Sequence, residues 1–474
     1  MDAPVPELEA RARACADALL EAEEVLLASH IDADGLTSAA VAATALRRAE
    51  IPFETVFEKQ LDADSVAGIA ARGYDTVLFT DFGSGQLDVI ADHEAAGEFR
   101  PVIADHHQPA DADTRLHLNP LLEGIDGASE LSGAGAAYLL ARALAARGPE
   151  ARLSNRDLAA LAVVGAVGDM QASGGELHGA NAAVVAEGVE AGVLSETRDL
   201  SVYGKQTRPL PKLLEYASDV RIPGITGDER GVISFLDDLE VDIRADSGWK
   251  RWVDLTDDEK RAVASALVRH AVSRGVPAFK IDRLVGTTYV LEEEAVGTAL
   301  RDASEFSTLL NATARYERAD VGLAVCLGGR GEALERAREL LRTHRRNLSE
   351  GVEWVEEHGV TTEGHLQWFD AGEEIRETIV GIIAGMSMSA DGVSRDVPVV
   401  AFARKDDAET KVSGRGTGAL VGRGLDLSVV MREAARAAGG DGGGHDIAAG
   451  ATIPAGNEAE FIERADEVVG EQLG

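Results

Sequence analysis

The stretch LLASHIDADG, residues 26–35, decides how the chain is organised. Its apolar start is typical of a buried strand, and its closing glycine lets the backbone turn into a helix predicted over residues 36–48. His30, Asp32 and Asp34 are two apart, so in an extended segment all three side chains point to one side. Such groups are not buried unless they are paired or bind a metal. The simpler alternative is a turn whose aspartate caps the following helix.

Further predicted strands, each an apolar run followed by polar residues, occur along the first third of the chain. Strands are predicted at residues 53–57, 76–80 and 101–104, and helices at 8–23, 133–145 and 155–167. Strands that alternate with helices indicate an α/β fold with a doubly wound parallel sheet, which binds ligands at the carboxyl ends of its strands. The ligand-type residues collected from these ends are His30, Asp32, Asp34, Asp81, Asp105, His106, His107 and Asp169. A capping aspartate or a surface histidine explains any one of them, but eight together favour a site.

Mixed imidazole and carboxylate ligands suit Mn²⁺ or Mg²⁺ and differ from the thiolate-rich ligands of structural zinc. Several carboxylates around two histidines predict two ions that share one bridging carboxylate. Two metals about 3.5–4 Å apart are the arrangement that cleaves phosphoesters. His106 and His107 are neighbours and diverge on an extended segment, so one can bind metal while the other faces the substrate.

The bulk composition sets the class of protein. A length of 474 residues predicts two to four domains. No apolar run reaches about 18 residues, so no membrane-spanning helix is expected. The amino terminus has no basic segment typical of a signal peptide. Two cysteines far apart, Cys15 and Cys326, indicate a reducing cytoplasm rather than a disulfide framework.

The net charge is −36 at pH 7, and only eight of the 46 basic residues are lysines. A surface rich in carboxylates and poor in lysine is typical of a salt-adapted (halophilic) cytoplasmic protein, because at molar salt the screening length is only about 3 Å. The charge therefore describes the habitat, and it does not exclude a nucleic acid partner.

Changes in composition and in the pattern of predicted elements divide the chain into four parts. They are a ligand-bearing α/β domain (residues 1–198), a mostly helical insertion (199–305), connector helices (306–360) and a smaller second α/β domain (361–474). In the insertion, Thr256 is a predicted helix N-cap. In the last part, strands are predicted at residues 366–369, 397–404 and 410–413, helices at 373–386, 427–438 and 458–473, and a glycine-rich loop at 441–445.

Seven segments resemble those of a known family. SHIDADG (29–35), FTDFGSG (79–85), ADHHQP (104–109) and VGDM (167–170) resemble the four motifs of the DHH phosphoesterase superfamily. SGRGTG (413–418) and GGGHDIAAG (442–450) resemble the phosphate-binding motifs of the DHH-associated C-terminal domain. With FSTLLNATAR (306–315), the chain is most similar to the RecJ-type nucleases, and among them to the archaeal RecJ-like exonucleases. The insertion matches that branch by position only.

The resemblance implies a role for each matching residue. The first ion would bind His30, Asp32 and Asp81, and the second would bind Asp34, Asp81, His106 and Asp169. His107 would lie near the scissile phosphate as a stabiliser or general acid, and Asp105 would orient a histidine. The expected substrate-binding residues are Arg415, Gly443, Gly444 and His445. Gly416 stands where a hydroxyl residue is frequent in relatives.

The implied activity is that of a two-metal exonuclease, with Mn²⁺ preferred, that degrades single-stranded DNA or RNA in DNA repair or replication. Arginines at 315, 318, 330, 345, 346, 415 and 423 are expected to contact the strand backbone. The runner-up is a phosphodiesterase for short oligoribonucleotides or cyclic dinucleotides, since such relatives share every motif. A different class is a replication component that associates with the GINS complex, although the full ligand set argues against a purely structural role.

Overall fold

The computed structural model describes residues 3–147, 154–172, 174–217, 220–246, 248–390 and 392–474. The chain forms two compact units, Met1–Arg338 and Glu339–Gly474. Within the described ranges, no helix is both long enough and apolar enough to cross a membrane. The predicted domain boundaries near residues 198, 305 and 360 stay predictions.

A five-stranded parallel sheet forms the centre of the first unit. Its strands are β1 (Val25–His30), β2 (Phe53–Glu58), β3 (Thr76–Thr80), β4 (Arg100–Ala104) and β5 (His117–Leu118), in the order β2-β1-β3-β4-β5. Its helices are α1 (Glu9–Leu20), α2 (Ala33–Arg48), α3 (Ala63–Ala70), α4 (Leu87–Ala96), α5 (Gly133–Arg147), α6 (Ala159–Gly168) and α7 (Gly179–Glu190). The chain steps from β1 to β2 on one side and returns to β3 on the other, so the switch point lies between β1 and β3. The predicted doubly wound parallel sheet is confirmed.

Helices cover both faces of this sheet, which explains why its strands are apolar runs. Leu26 and Ala28 of β1 pack in one core with Val66 and Ile69 of α3. Leu27 lies between them in sequence, so it points to the opposite face, and it is also fully buried. Polar groups therefore collect where the strands end rather than along them.

The turn after β1 differs from the expectation of a continued extended segment. The Asp32 side chain caps α2 by accepting a hydrogen bond from Gly35 N at 3.0 Å, so the helix already begins at Ala33. Asp34 consequently lies in the first helical turn, and the prediction that residues 30, 32 and 34 share one side of an extended segment is wrong. The alternative of an aspartate N-cap is confirmed for Asp32, because the cap satisfies an amide that the helix leaves unpaired.

The middle of the chain is mostly helical, as predicted. It contains α8 (Leu210–Glu215), α9 (Glu229–Asp237), α10 (Asp257–Ser273) and α11 (Ala278–Ile281), with a short hairpin of β7 (Arg244–Ala245) and β8 (Gly248–Trp249). Thr256 caps α10 and forms a reciprocal capping box with Glu259. An antiparallel ribbon of β6 (Leu194–Leu200) and β9 (Val285–Leu291) was not predicted, because its polar residues hide the strand pattern. Three further helices follow, α12 (Ala303–Arg315), α13 (Ala319–Cys326) and α14 (Glu332–His358).

The second unit is built on a mixed six-stranded sheet. Its strands are β10 (Thr361–Thr362), β11 (Gln367–Asp370), β12 (Val399–Arg404), β13 (Glu409–Arg415), β14 (Asp441–Gly444) and β15 (Ala448–Pro454), in the order β10-β11-β12-β13-β15-β14. Its helices are α15 (Val380–Ser387), α16 (Gly418–Val421), α17 (Leu427–Ala437) and α18 (Glu458–Leu473). The predicted helix start at residue 373 is wrong, because turns precede Val380 and bury Ile375 and Ile379 in the core.

The glycine-rich segment is an edge strand and not the predicted loop. Residues 441–444 pair with β15 in antiparallel register, and Gly442 lies opposite Ala451. A Cβ atom on Gly442 would lie 2.7 Å from the Met431 carbonyl oxygen of α17, whereas a Cβ on Gly443 would meet nothing within 4 Å. The glycine is thus required by close packing of the strand against α17.

The pair Gly442 and Gly443 gives a matched test of this strand. We expect Gly442→Ala to lower the free energy of unfolding by about 1–3 kcal/mol, since a backbone atom must move to admit the methyl group. Gly443→Ala should be neutral or slightly stabilising. Thermal unfolding followed by circular dichroism measures both variants, and equal melting temperatures would contradict the strand.

Candidate metal centre

All eight ligand-type side chains predicted from the sequence lie at one edge of the parallel sheet. They form three groups whose ligand atoms lie within 4.8 Å of one another, namely His30 with Asp32 and Asp81, then Asp34 with His106 and Asp169, and then Asp81 with Asp105, His106 and His107. The residues come from the ends of β1, β3 and β4, the first turn of α2 and the end of α6. The sheet and two helices together therefore position the cluster.

Asp81 is the residue that joins the groups. Its Oδ2 lies 3.6 Å from Nδ1 of His30, and its Oδ1 lies 3.4 Å from Nε2 of His106. His30 Nδ1 also lies 3.2 Å from Oδ2 of Asp32. One carboxylate thus faces both histidines, each through a different oxygen.

The backbone holds Asp81 in an unusual conformation. Its φ is +60°, a left-handed value that is uncommon outside glycine, and its amide continues the sheet by donating to Ala104 O at 3.1 Å. A Cβ atom on Gly133 would lie 2.4 Å from Oδ1 of Asp81, so only glycine fits at the start of α5. Backbone strain of this kind persists where the surrounding structure enforces it, which is common at functional sites.

The cluster fits a divalent cation because a buried carboxylate oxygen of Asp81 has no hydrogen-bond donor among the described residues. Asp81 is 2% exposed, and its Oδ1 makes no hydrogen bond within the described residues. An unpaired buried carboxylate oxygen is costly, and a bound cation removes that cost. The donor set of imidazole nitrogens and carboxylate oxygens suits Mn²⁺ or Mg²⁺.

His106 is oriented as a metal ligand would be. Its Nδ1 lies 2.7 Å from Gly127 O, to which it donates, so Nε2 faces the carboxylates of Asp81 and Asp34. Burial opposes protonation of His106, but Asp81 and Asp34 raise its pKa well above its usual value. A cation between these groups would take the place of that proton, which links metal binding to proton release.

Asp34 is held at the amino terminus of α5. Its two oxygens accept hydrogen bonds from Gly133 N at 2.7 Å and Ala134 N at 3.0 Å. Burial, followed by the charges of Asp81 and Asp169, raises the pKa of Asp34 well above its usual value. The helix end supplies partial positive charge to a carboxylate that is only 2% exposed.

Other groups of the cluster also have shifted pKa values. Burial lowers the pKa of His30, but the carboxylates of Asp32 and Asp81 outweigh it and raise the value to about 11. Burial raises the pKa of Asp169 to about 6, with His106 opposing and Asp81 adding to the effect. Four groups of the cluster, His30, Asp34, His106 and Asp169, thus have a raised pKa and keep a proton to higher pH than usual. Metal affinity should rise with pH as those protons are released.

Asp105 and His107 form a separate pair beside the cluster. Oδ1 of Asp105 lies 2.8 Å from Nδ1 of His107 and accepts the amide of His106 at 2.7 Å, while Oδ2 accepts the amide of Ser84 at 2.9 Å. The hydrogen bond to Asp105 raises the pKa of His107, although burial opposes it. The His107 side chain is half exposed, so its Nε2 is free to meet a bound molecule.

The sequence did not reveal a second layer of polar residues behind the cluster. Gln171 donates from Nε2 to Asp169 Oδ2 and to Gly127 O, both at 2.9 Å. Asn119 donates to His107 O at 2.9 Å and to the Ser84 hydroxyl at 2.9 Å. Ser84 lies inside the motif FTDFGSG and Gln171 directly follows the motif VGDM, so their positions could have indicated a role at the site. Asn119 lies outside every motif, and nothing in the sequence around it indicates such a role.

The predicted substrate-binding residues of the second unit lie together at one end of its sheet. Arg415 pairs in register with Ala448, and the His445 amide donates to Ala448 O at 2.9 Å. Gly443 and Gly444 belong to the neighbouring edge strand. His445 is exposed and Arg415 is half buried, with Nη1 donating to Gly414 O at 2.7 Å.

Three of the arginines expected to contact a nucleic acid strand are engaged by carboxylates instead, and one of them is Arg346, which lies 3.9 Å from Glu350. Arg318 forms a two-point pair with Asp320, at 2.8 and 2.7 Å, and Arg330 pairs with Glu294. In a chain with 82 acidic residues, an arginine is readily captured by a neighbouring carboxylate, which sequence position alone does not show.

Comparison with known proteins identifies three family domains along the chain and a relative that matches most of it. The N-terminal domain of the DHH family matches residues 24–166, the DHH-CID domain matches 202–285, and the DHHA1 domain matches 364–471. An uncharacterized protein of Methanocaldococcus jannaschii is 30% identical over 453 residues, which are 94% of this chain and 93% of that protein.

Solved structures share the fold at low sequence identity. RecJ from Thermus thermophilus in complex with Mn²⁺ is 18% identical with a TM-score of 0.60, and the match covers 99% of this chain but only 55% of that one. CDC45 from Entamoeba histolytica is 10% identical with a TM-score of 0.66, over 98% of this chain and 99% of that one. The family matches and the archaeal relative establish that the chain belongs to the DHH family of phosphoesterases and carries a DHHA1 domain.

Proposed function

We propose that the protein is a two-metal phosphodiesterase of the RecJ-like branch, an exonuclease that degrades single-stranded nucleic acid. The observation that carries the proposal is Asp81, whose two oxygens face His30 and His106 and one of which has no other partner among the described residues. The proposed ligands are His30, Asp32 and Asp81 for one ion, and Asp34, Asp81, His106 and Asp169 for the other. Mn²⁺ is the preferred ion, and Mg²⁺ is the alternative.

Two such ions, when bound, would supply a polarised phosphate and an activated water for in-line attack. The chain itself contributes orientation and a proton. Asp105 fixes His107 through Nδ1, so the exposed Nε2 is available to donate to a phosphate or leaving oxygen. Because Asp105 raises the pKa of His107, the imidazole keeps its proton to higher pH than an ordinary histidine.

A nucleic acid substrate is supported by the fold and by the second unit. The Thermus thermophilus relative that shares the fold is named as RecJ, and its structure contains Mn²⁺. In the DHHA1 domain, we assign Arg415, Gly443, Gly444 and His445 to substrate phosphate, since a guanidinium and a glycine backbone that a ligand can approach closely suit that anion. The two functions then reside in different units, with chemistry in one and substrate contact in the other.

Association with a replication complex is a second candidate, and the fold shared with CDC45 along nearly the whole chain favours it. A GINS-type assembly is the partner we propose for that role. The two roles are compatible, because the ligand cluster lies at one edge of the parallel sheet and leaves other surfaces of the protein for a partner.

Asp81→Asn tests the shared ligand. We expect it to reduce bound Mn²⁺ from two ions to one or none and to lower turnover by at least about a hundredfold, since even partners of ligands contribute 10–100-fold. Asp75→Asn, an exposed carboxylate at the opposite end of β3, is the control. Two bound ions with near-normal turnover in Asp81→Asn would contradict the assignment.

End-labelled strands test the substrate. The full-length protein is incubated with Mn²⁺ and KCl on single-stranded DNA and RNA labelled at either end, with a duplex as control. We expect mononucleotides to be released from one end of single strands, while the duplex resists. Cleavage of dinucleotides alone would replace the exonuclease by a small-substrate phosphodiesterase, and two bound ions without any hydrolysis would leave the replication role.

Asp105→Asn tests the proton donor. Removing the carboxylate lowers the pKa of His107, so the imidazole loses its proton at lower pH. We expect the alkaline limb of the kcat profile to move to lower pH and kcat at pH 8 to fall by about 10²-fold, the lower range for general acid catalysis. Asp64→Asn, an exposed residue of α3, is the control, and an unchanged alkaline limb in folded Asp105→Asn would exclude His107 as the donor.

A further inference from the structure

A cavity of about 620 Å³ lies in the first unit, and its lining includes Val167 and Met170, on either side of the proposed ligand Asp169 in the sequence. Its walls come from the end of α6, the ribbon of β6 and β9, and the start of α12. The volume falls within the range of about 300–1,000 Å³ that is typical of small-molecule sites. Neither the proposed chemistry nor the second unit uses this cavity.

Met170 lines the cavity, and in the sequence it directly follows the proposed metal ligand Asp169. Met170 has a left-handed φ of +63° just after the end of α6, and the residue is 72% exposed. A polarisable thioether in this position suits contact with a flat aromatic ring.

Two hydroxyl groups of β9 are oriented as donors. The Tyr289 hydroxyl accepts the Leu177 amide at 2.7 Å, and the Thr288 hydroxyl accepts the buried ammonium of Lys205. A hydroxyl that accepts such a bond keeps its own hydrogen for another partner, and the described residues provide no acceptor for either. Both residues line the cavity, which is therefore prepared for a ligand with acceptor oxygens.

Two arginines add positive charge to the wall. Arg198 of β6 and Arg283, just before β9, are exposed and line the cavity. No ion pair joins either guanidinium to a carboxylate of the residues that the structure describes. Many other arginines of this acidic chain are paired, so two unpaired guanidinium groups at one cavity mark a place for an external anion.

Three carboxylates also line the cavity and reduce the positive charge of its wall. Asp302 is engaged, since it caps α12 and lies 3.9 Å from the Lys205 ammonium. Glu176 and Asp282 are exposed and oppose an anion. The cavity therefore suits a ligand that combines one phosphate with polar and aromatic parts, rather than a densely charged polyphosphate.

We propose that this cavity holds the nucleotide next to the scissile phosphate of the substrate strand. Its phosphate would meet Arg198 and Arg283, its oxygens would accept from Thr288 and Tyr289, and its base would contact Met170. The proposal rests on the proposed nuclease function and adds a nucleotide subsite within the first unit. The ligand is thus a single nucleotide unit with its 5′ or 3′ phosphate.

Binding to the metal-free protein tests the subsite apart from catalysis. The full-length, chelator-treated protein is titrated with thymidine 5′-monophosphate by calorimetry, with thymidine and inorganic phosphate as separate probes. We expect the nucleotide to bind more tightly than either part. Arg198→Ser and Arg283→Ser should each weaken nucleotide binding about tenfold, the size of one charge-assisted contact.

Two further variants give the test a direction and a control. Asp282→Asn removes an opposing charge and should tighten nucleotide binding. Arg269→Ser removes an exposed arginine of α10 outside the cavity and should leave binding unchanged. No nucleotide binding by the wild-type protein, or equal binding by the Arg198→Ser, Arg283→Ser and Arg269→Ser variants, would overturn the proposal.

Hydrolysis by the Mn²⁺-loaded protein separates this inference from the proposed function. Wild-type protein is given bis(p-nitrophenyl) phosphate, which has no nucleotide part, and a single-stranded pentanucleotide. We expect Arg198→Ser and Arg283→Ser to raise KM for the pentanucleotide more than they lower kcat. If the wild type cleaves neither substrate, the proposed function fails, whereas pentanucleotide cleavage with an unchanged KM in both variants overturns the subsite alone.

Discussion

The burial of several carboxylates at one edge of a parallel sheet is the constraint on which the rest of the structure depends. Asp34, Asp81 and Asp105 are each at most 2% exposed. Asp105 is satisfied by His107 and by backbone amides, and Asp34 by the first amides of α5. Asp81 retains an oxygen without a hydrogen bond among the described residues. Burying charge in this way is tolerated only when a partner compensates it, and a divalent cation is a partner that this set of donors fits.

Much of this edge could be predicted from the sequence because its information is local. Each buried strand is a short apolar run, and its polar residues follow within a few positions, so ligand types and strand ends can be read together. What the sequence could not provide are contacts between distant positions. Gln171 donates a hydrogen bond to Gly127 O, and Asn119 donates one to His107 O. The spacing of these residues in the sequence predicts neither bond. The backbone of Asp34 was misjudged because one N-cap advances the helix start by three residues.

Contacts that the sequence does not reveal also explain why the glycine-rich segment was predicted wrongly and why the pairing of the arginines was not predicted. Consecutive glycines at 442–444 are typical of a loop, but pairing with β15 and close packing on α17 make them a strand. Arginines expected to be available, such as Arg318 and Arg330, are paired with nearby carboxylates. In a chain of net charge −36, the informative cations are those that the fold leaves unpaired, and only the structure identifies them.

The amino terminus of α5 connects the two halves of the candidate metal centre. Gly133 donates its amide to Asp34, and the absence of its side chain makes room for Oδ1 of Asp81. One position thus sets the distance of the helix from both carboxylates, namely Asp34 of the second proposed ion site and Asp81, which both proposed sites share. The positive end of the helix dipole lowers the cost of holding these charges together. Sheet and helix therefore both fix the geometry of the cluster, and an ion bound there would replace protons held by its side chains.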